Sequence, residues 1–480
     1  MKNETPLLTK ILEYIQRGIT GFHTPGHQQG KGCGDKFRGL MQANSLQMDL
    51  TELPGLDNLK AAEGCIAESQ RLAAQLFGAE KTHYLVNGST VGIQAALLAI
   101  NKPGEKVIIA RNSHVSVVNG LVLSGGIPVL APVEIENEWG FPLGISIENL
   151  RSVLKSNSEA AAVLLTNPEY RGTGIDIALA IKLIAESNHP LIVDEAHGTH
   201  LYFQEDIPLS AQKHTPDIVV HSAHKTLAAL TQASMLHVNN KKWSNSIQFA
   251  LDILQTTSPS YLLMASLDSV QEQMRVKGKE MVSKVIEIAQ YFRKEIGQIS
   301  GYRVYETDEK KGWYQDKTKV LVSAADLGLT GWELASLLLD RYGIAVEMSD
   351  YFYVLFIFHF GHDHKDVNKT IKAFIDIRQY NKMNALKPLD CAVFLFKQNY
   401  QPFISPREVF NSPKEFIPLK QAKDRIAGVA LVTYPPGVPF VWPGDILRQE
   451  HLDYFEETKQ TQIKIQGISA SGMVSVITKG

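Results

Sequence analysis

Lys225 closes the stretch His221-Ser222-Ala223-His224-Lys225, which follows the run DIVV at 217–220. A lysine at the end of a buried strand is costly unless it is paired, neutral or covalently bonded. A lysine nucleophile must be partly neutral near pH 7, against a free value of about 10.4, and desolvation or a neighbouring cation such as His224 lowers it. Asp194 follows three apolar residues in LIVDEAHG (191–198). A buried carboxylate needs a cationic or hydrogen-bonded partner, and a protonated ring nitrogen would serve as well as a helix cap. NGSTVG (87–92) offers Ser89, Thr90 and free backbone N–H groups at a helix start, a cradle for a phosphate. A phosphate cradle, a carboxylate for a ring nitrogen and a lysine for an aldehyde, in that order, describe one cofactor, pyridoxal 5'-phosphate.

The elements around these residues fit that reading. THYLV (82–86), KVIIA (106–110), IPVLAPV (127–133), AAVLLT (161–166), LIVDEA (191–196) and DIVVHS (217–222) read as strands, several of them apolar throughout. Helical patterns lie between them, as in an α/β doubly wound fold with a mostly parallel sheet. Ligands of such sheets bind outside the carboxyl ends of the strands, where Asn87, Arg111–His114, Asn167, Asp194 and Lys225 fall. Residues 260–299 predict a long helix leading to a smaller α+β domain, and LKQAKDRIAGVALVTYPPGVPFVWPGD (419–445) predicts a helix, a strand and a Pro-Gly turn. The expected boundaries are an N-terminal segment at 1–60, a large α/β domain at 61–265, a linking helix with a small α+β domain at 266–385, and a C-terminal α+β unit at 386–480.

Composition narrows the classes. Net charge is −2 over 480 residues, with no strongly basic or acidic segment, which argues against nucleic acid or an anionic membrane as partner. Cys33, Cys65 and Cys391 lie far apart, a reduced pattern. The first 18 residues read as an amphipathic helix too charged for a signal peptide, and no apolar run reaches the about 18 residues of a membrane span. A cytoplasmic protein is expected. DEAH at 194–197 also occurs in helicases, but that reading needs an upstream GxxxxGK[ST] loop, and GHQQGKG (26–32) has the wrong spacing. No metal site is expected: Pro25-Gly26 separates His23 from His27, and HFGHDH (359–364) reads as a loop with incidental histidines.

FHTPGHQQG (22–30), NGST (87–90), RNSHVS (111–116), NPEYRG (167–172), VDEAHG (193–198), SAHKTL (222–227), TTSPSY (256–261) and YPPGVP (434–439) together resemble the Orn/Lys/Arg decarboxylase family. Within it, the chain is similar to the shorter bacterial arginine decarboxylases without an amino-terminal wing domain. Glu169 in NPEYRG replaces a small polar residue of the family's usual NPTY. The resemblance implies the aspartate-aminotransferase-like fold (fold type I) and decarboxylation of a basic amino acid, arginine before lysine or ornithine, feeding polyamine synthesis. It implies that Lys225 carries the cofactor, that Asp194 pairs with the ring nitrogen and that His114 stacks on the ring. By the same resemblance Ser222 and His224 join Ser89 and Thr90 at the phosphate, with His197 close by. Ser258 and Ser260 would reach the phosphate of a neighbouring subunit, making a homodimer with shared sites, and the HTPGH turn would line the cleft near that interface. The far end of the substrate would meet Glu347 and Asp350 in AVEMSD (345–350). A proton would return to Cα from Lys225 or His224. Rival readings are another fold-type-I activity, such as an aminotransferase or aldolase, or a cofactor-binding protein without catalysis.

Overall fold

The computed structural model describes residues 11, 13–380, 385–388, 396, 401–434, 436–459 and 465–478; Cys391 and most of the expected amphipathic start lie outside these. The large domain is built on seven strands: β1 (Lys81–Leu85), β2 (Lys106–Ala110), β3 (Ile127–Ala131), β4 (Ala162–Thr166), β5 (Leu191–Asp194), β6 (Ile218–His221) and β7 (Ser234–Val238). Their spatial order is β3-β2-β4-β5-β6-β7-β1. β7 runs antiparallel to both neighbours, and the other pairs are parallel.

Both faces of this sheet are covered, which is why its strands are apolar throughout. Val107, Ile109, Leu164, Ile192 and Val220 pack on one side, under helices α1 (Gly88–Ile100) and α2 (Val115–Ser124). Ile108, Val163, Leu165, Val193 and Val219 pack on the other. Six of the seven strands were legible in the sequence; β7 was not, because Ser234 and His237 interrupt its apolar run. Both are fully buried, and His237 belongs to a hydrogen-bonded chain inside the core. In that chain Glu195 Oε2 lies 2.9 Å from His221 Nε2, His221 Nδ1 lies 3.0 Å from His237 Nε2, and His237 Nδ1 lies 2.8 Å from Thr82 Oγ1.

The expected long helix is α3 (Tyr261–Gly297). Beyond it a four-stranded antiparallel sheet orders Arg303–Val304, Lys319–Ser323, Val354–Ile357 and Met348–Ser349 side by side. Separately, Thr20–Phe22 pairs in parallel with Ile344–Val346, with Phe22 opposite Val346. This pairing sets the HTPGH turn beside Glu347. The segment 359–364 is not an incidental loop: His362 Nε2 lies 2.8 Å from the Gly21 carbonyl oxygen, its ring stacks on Phe22 at 4.5 Å, and His359 is buried. His362 thus anchors the strand that leads into the turn.

The C-terminal unit docks on the large domain. The Arg111 guanidinium donates to the carbonyls of Pro439 and Phe440 at 2.7 and 2.6 Å, and fully buried Trp442 enters the core beneath α1 and α2. The expected helix at 419 is only a single 3-10 turn, Leu419–Gln421. Leu419 and Ala422 are its buried residues, while Lys420, Gln421 and Lys423 are exposed, too narrow an apolar stripe to hold a helix. The expected strand and turn are present, as Leu431–Thr433 followed by a return strand at Val438–Val441.

Candidate active site

A cleft of about 600 Å³ opens where the carboxyl ends of the large sheet meet the small domain and the C-terminal unit. Lys225 reaches it from the short turn after β6, Asp194 from the end of β5, and His114 from the start of α2. Lys225 Nζ stands 3.0 Å from His197 Nε2. Burial lowers the pKa of the Lys225 ammonium, while the charges of Asp194 and Glu347 oppose that. Burial also drives His197 far below its ordinary range, helped by Lys225, so its ring is neutral and Nε2 can accept from the lysine. The Tyr170 and His197 rings meet at a steep angle, with centroids 4.6 Å apart.

Asp194 is nearly fully enclosed. Burial pushes its carboxyl up, while Lys225 and the Ala196 N–H at 3.1 Å hold it down. A cation beside it would stabilise its charge further, and a protonated ring nitrogen is such a cation. His114 is pushed down to about 4 by burial and by Lys225. Its Nδ1 accepts from the Ser116 N–H at 3.1 Å, so the neutral ring carries its proton on Nε2. His224 falls to about 4, chiefly by burial, and its Nδ1 donates to the Ala233 carbonyl at 3.1 Å.

The first turn of α1 is an open cradle. Its cap residue Asn87 makes no side-chain hydrogen bond to the helix, and Ser89 and Thr90 line the cleft. Gly88 sits at φ +73°, which a glycine adopts without strain. Gly26 of the HTPGH turn abuts the segment that carries Lys225: its N–H donates to the His224 carbonyl at 2.8 Å, and a side chain there would collide with the Leu227 carbonyl. Several buried polar atoms here have no hydrogen-bond partner: Ser222 Oγ, both amide atoms of Asn112, and His197 Nδ1. Asn112 and His197 line the cleft, whereas Ser222 lies just behind its wall. Unpaired buried donors and acceptors are costly. Beside an open helix start, a carboxylate and a lysine, they fit a phosphorylated, hydroxylated pyridine aldehyde.

Not every expected residue is brought in. Glu347 lines the cleft, its Oε1 accepting from the Tyr170 hydroxyl at 2.6 Å and its Oε2 from the Thr24 N–H at 2.8 Å. Asp350 does not line it. Its Oδ1 accepts from the N–H groups of Phe352 and Tyr353 at 2.7 and 3.0 Å, and it lies by Arg171, so it caps a buried turn. Ser258 is exposed, and Ser260 stands at the N-cap position of α3 without a side-chain hydrogen bond to the helix; neither lines the cleft of its own chain. The HTPGH turn contributes His23 and Thr24 to the cleft within one chain.

Residues 5–366 match the Orn/Lys/Arg decarboxylase major domain, and residues 390–472 match the C-terminal domain of the same family. The chain belongs to the Orn/Lys/Arg decarboxylase family. Among its relatives, an arginine decarboxylase of Bacillus subtilis (strain 168) is 34% identical over 470 residues, 97% of this chain and 96% of that one. The constitutive lysine decarboxylase of Escherichia coli (strain K12) is 24% identical, covering 94% of this chain and 76% of that one. Among solved structures, lysine decarboxylase A from Pseudomonas aeruginosa superposes with a TM-score of 0.79 at 21% identity, over 100% of this chain and 84% of that one. The fold is therefore that of the fold-type-I decarboxylases, as the sequence motifs implied.

Within this family frame, several residues in and around the cleft had no role assigned by any sequence motif, Glu169 standing out only as a departure from the family pattern. Tyr170 orients Glu347, and Glu169 lines the cleft while both of its oxygens are held by Arg171. Arg171 is buried, with its Nε on the Tyr353 hydroxyl and its guanidinium over the Phe141 ring at 5.2 Å. Lys319 is fully buried and donates to the Tyr170 carbonyl at 3.0 Å. The available signals were Lys319 at the head of an apolar strand and two opposite charges two residues apart in NPEYRG. Tyr434, Pro436 and Val438 come from the C-terminal unit, and nothing in their local sequence places them here.

Proposed function

We propose that this protein decarboxylates a basic amino acid with pyridoxal 5'-phosphate, and that arginine, giving agmatine and CO₂, is its substrate. The observation that carries the reading is the charged lining of the cleft. Three carboxylates (Asp194, Glu169 and Glu347) face one ammonium, Lys225. With Asp194 assigned to the cofactor ring and Glu169 held by Arg171, Glu347 remains for a cationic side chain. A carboxylate fixed by two hydrogen bonds presents its remaining lone pairs in one plane, which suits a planar guanidinium. The name of the Bacillus relative supports arginine.

Bound here, pyridoxal phosphate would supply an electron sink for the pair released when CO₂ leaves. Ser89, Thr90 and the first turn of α1 would hold its phosphate, with Ser222 and His224 behind. His114 would cover the ring face, Asp194 would pair with the ring nitrogen and Lys225 would carry the aldehyde. The protein's own part is positional and protonic. Asp194 holds charge in a buried place, keeping its partner protonated. Lys225 Nζ and His197 Nε2 share a proton across 3.0 Å, which places Lys225 to deliver it to Cα. Ser258 and Ser260, away from their own cleft, fit a homodimer in which each chain completes its neighbour's phosphate site.

The test is product analysis. Purified protein with pyridoxal phosphate is offered arginine, lysine and ornithine, and amines are identified by mass spectrometry alongside released CO₂. Agmatine and CO₂ in equal amounts are expected. Keto acids without CO₂, or no product, would overturn the reading, and cadaverine as main product would move the substrate to lysine.

A further inference from the structure

We propose that the C-terminal unit positions a residue of the site through Gly437, which occupies the edge of the His114 imidazole and fixes the ring against the cleft. The part of this that concerns cofactor binding rests on the function proposed above; the contact itself does not.

Gly437 is tied on both sides. Its N–H donates to the Thr433 carbonyl at 2.9 Å, and its carbonyl accepts from the N–H of Val115, the residue next to His114, also at 2.9 Å. Its φ is +87°. A Cβ on this residue would lie 2.8 Å from both Cδ2 and Nε2 of His114, and 3.4 Å from Cε2 of Tyr434. The imidazole therefore stands where a side chain would be. Its opposite edge is pinned as well: Nδ1 lies 3.1 Å from the Ser116 N–H and 3.0 Å from Ser116 Oγ. The ring is held between α2 and the turn, and the Arg111 bonds to Pro439 and Phe440 keep that turn from drifting. Tyr434, Pro436 and Val438 of the same hairpin line the cleft, so the segment that holds the ring also walls the substrate space. Gly437 and the hairpin are thus positioning residues that act through His114.

A double-mutant cycle of Gly437→Ala and His114→Ala tests this, because the added methyl group has nothing to strike once the ring is gone. The first readout is the pyridoxal phosphate Kd, by fluorescence titration of the cofactor-free protein. The second is the pH titration of the His114 ring C–H signals by NMR in the cofactor-free protein, assigned by their loss in His114→Ala. Gly437→Ala should weaken cofactor binding about fivefold or more in the natural background and less than about twofold in His114→Ala. It should also raise the His114 midpoint from about 4 toward its ordinary 6.5 as the ring is displaced. Equal losses in both backgrounds would show backbone strain at φ +87° instead and overturn the proposal, as would an unmoved His114 titration. If Gly437→Ala alone fails to fold, the proposal requires the double variant to fold; failure of both overturns it. A protein that binds no pyridoxal phosphate would sink the proposed function, while the NMR titration would still decide the Gly437 contact.

Discussion

Replacing Glu347 by glutamine removes one charge from the cleft and changes almost no volume. The carboxylate accepts from the Tyr170 hydroxyl and the Thr24 N–H, one on each oxygen. A carboxamide can accept from only one of these and turns its NH₂ toward the other. A hydrogen bond to a charged group contributes about 1.5–3 kcal/mol, so kcat/KM for arginine should fall about 10- to 150-fold. Binding of the side-chain cation is the same in the ground state and the transition state, so most of this loss should appear in KM. The assay is steady-state CO₂ release from arginine and from citrulline, its uncharged analogue. The variant should lose discrimination: arginine falls by the stated factor and citrulline changes by less than about threefold. A loss of less than twofold for arginine, or an equal loss for both, would refute the role given to Glu347.

Asp350→Ala should act on stability and leave recognition alone, since its carboxylate caps the turn at Phe352 and Tyr353. Two buried N–H groups left unpaired cost about 1–3 kcal/mol each, read as a lower urea midpoint with KM for arginine within about twofold; a KM rise to match Glu347→Gln would return Asp350 to the substrate site. Acid should destabilise the cofactor-free protein as pH falls below about 6.5, because burial holds His83 and His221 at about 3 and His114 and His224 at about 4, which outweighs the opposite effect of their neighbour Glu195, a carboxylate that burial pushes up to about 8. These folded histidine values lie below the unfolded 6.5, so the stabilisation is complete above pH 6.5 and is lost as pH falls to about 4 and then 3, at up to about 1.4 kcal/mol per pH unit for each group. A urea midpoint that stays flat from pH 6.5 to 4 would contradict that burial.

Much of the site was legible because strand ends converge. Once β4, β5 and β6 are read as neighbouring parallel strands, Asn167, Asp194 and Lys225 must stand at one edge. Legibility ended where side chains depend on packing from distant segments. Glu347 and Asp350 are three residues apart in one acidic stretch, yet only Glu347 faces the cleft. The register of Thr20–Phe22 on Ile344–Val346 decides this, and no local pattern announces it. His237 hid a strand because its polar ring is satisfied by His221 and Thr82, which are remote in sequence. The C-terminal unit gave the least away: Tyr434 and Gly437 look like turn chemistry and become wall and support only when Arg111 draws the hairpin down. NPEYRG read as a departure from a family pattern, and the structure gives it a physical sense, as Glu169 faces Arg171 in a buried pair.

The most direct measurement is chemical mapping of the lysine that holds the cofactor. Protein loaded with pyridoxal phosphate is treated with borohydride, digested, and its peptides are sequenced by mass spectrometry. The pyridoxyl group should appear on the peptide carrying Lys225, and the visible absorption band should be missing from Lys225→Ala. Attachment to another lysine, such as the buried Lys319 nearby, or a band that persists without Lys225, would contradict the account at its centre.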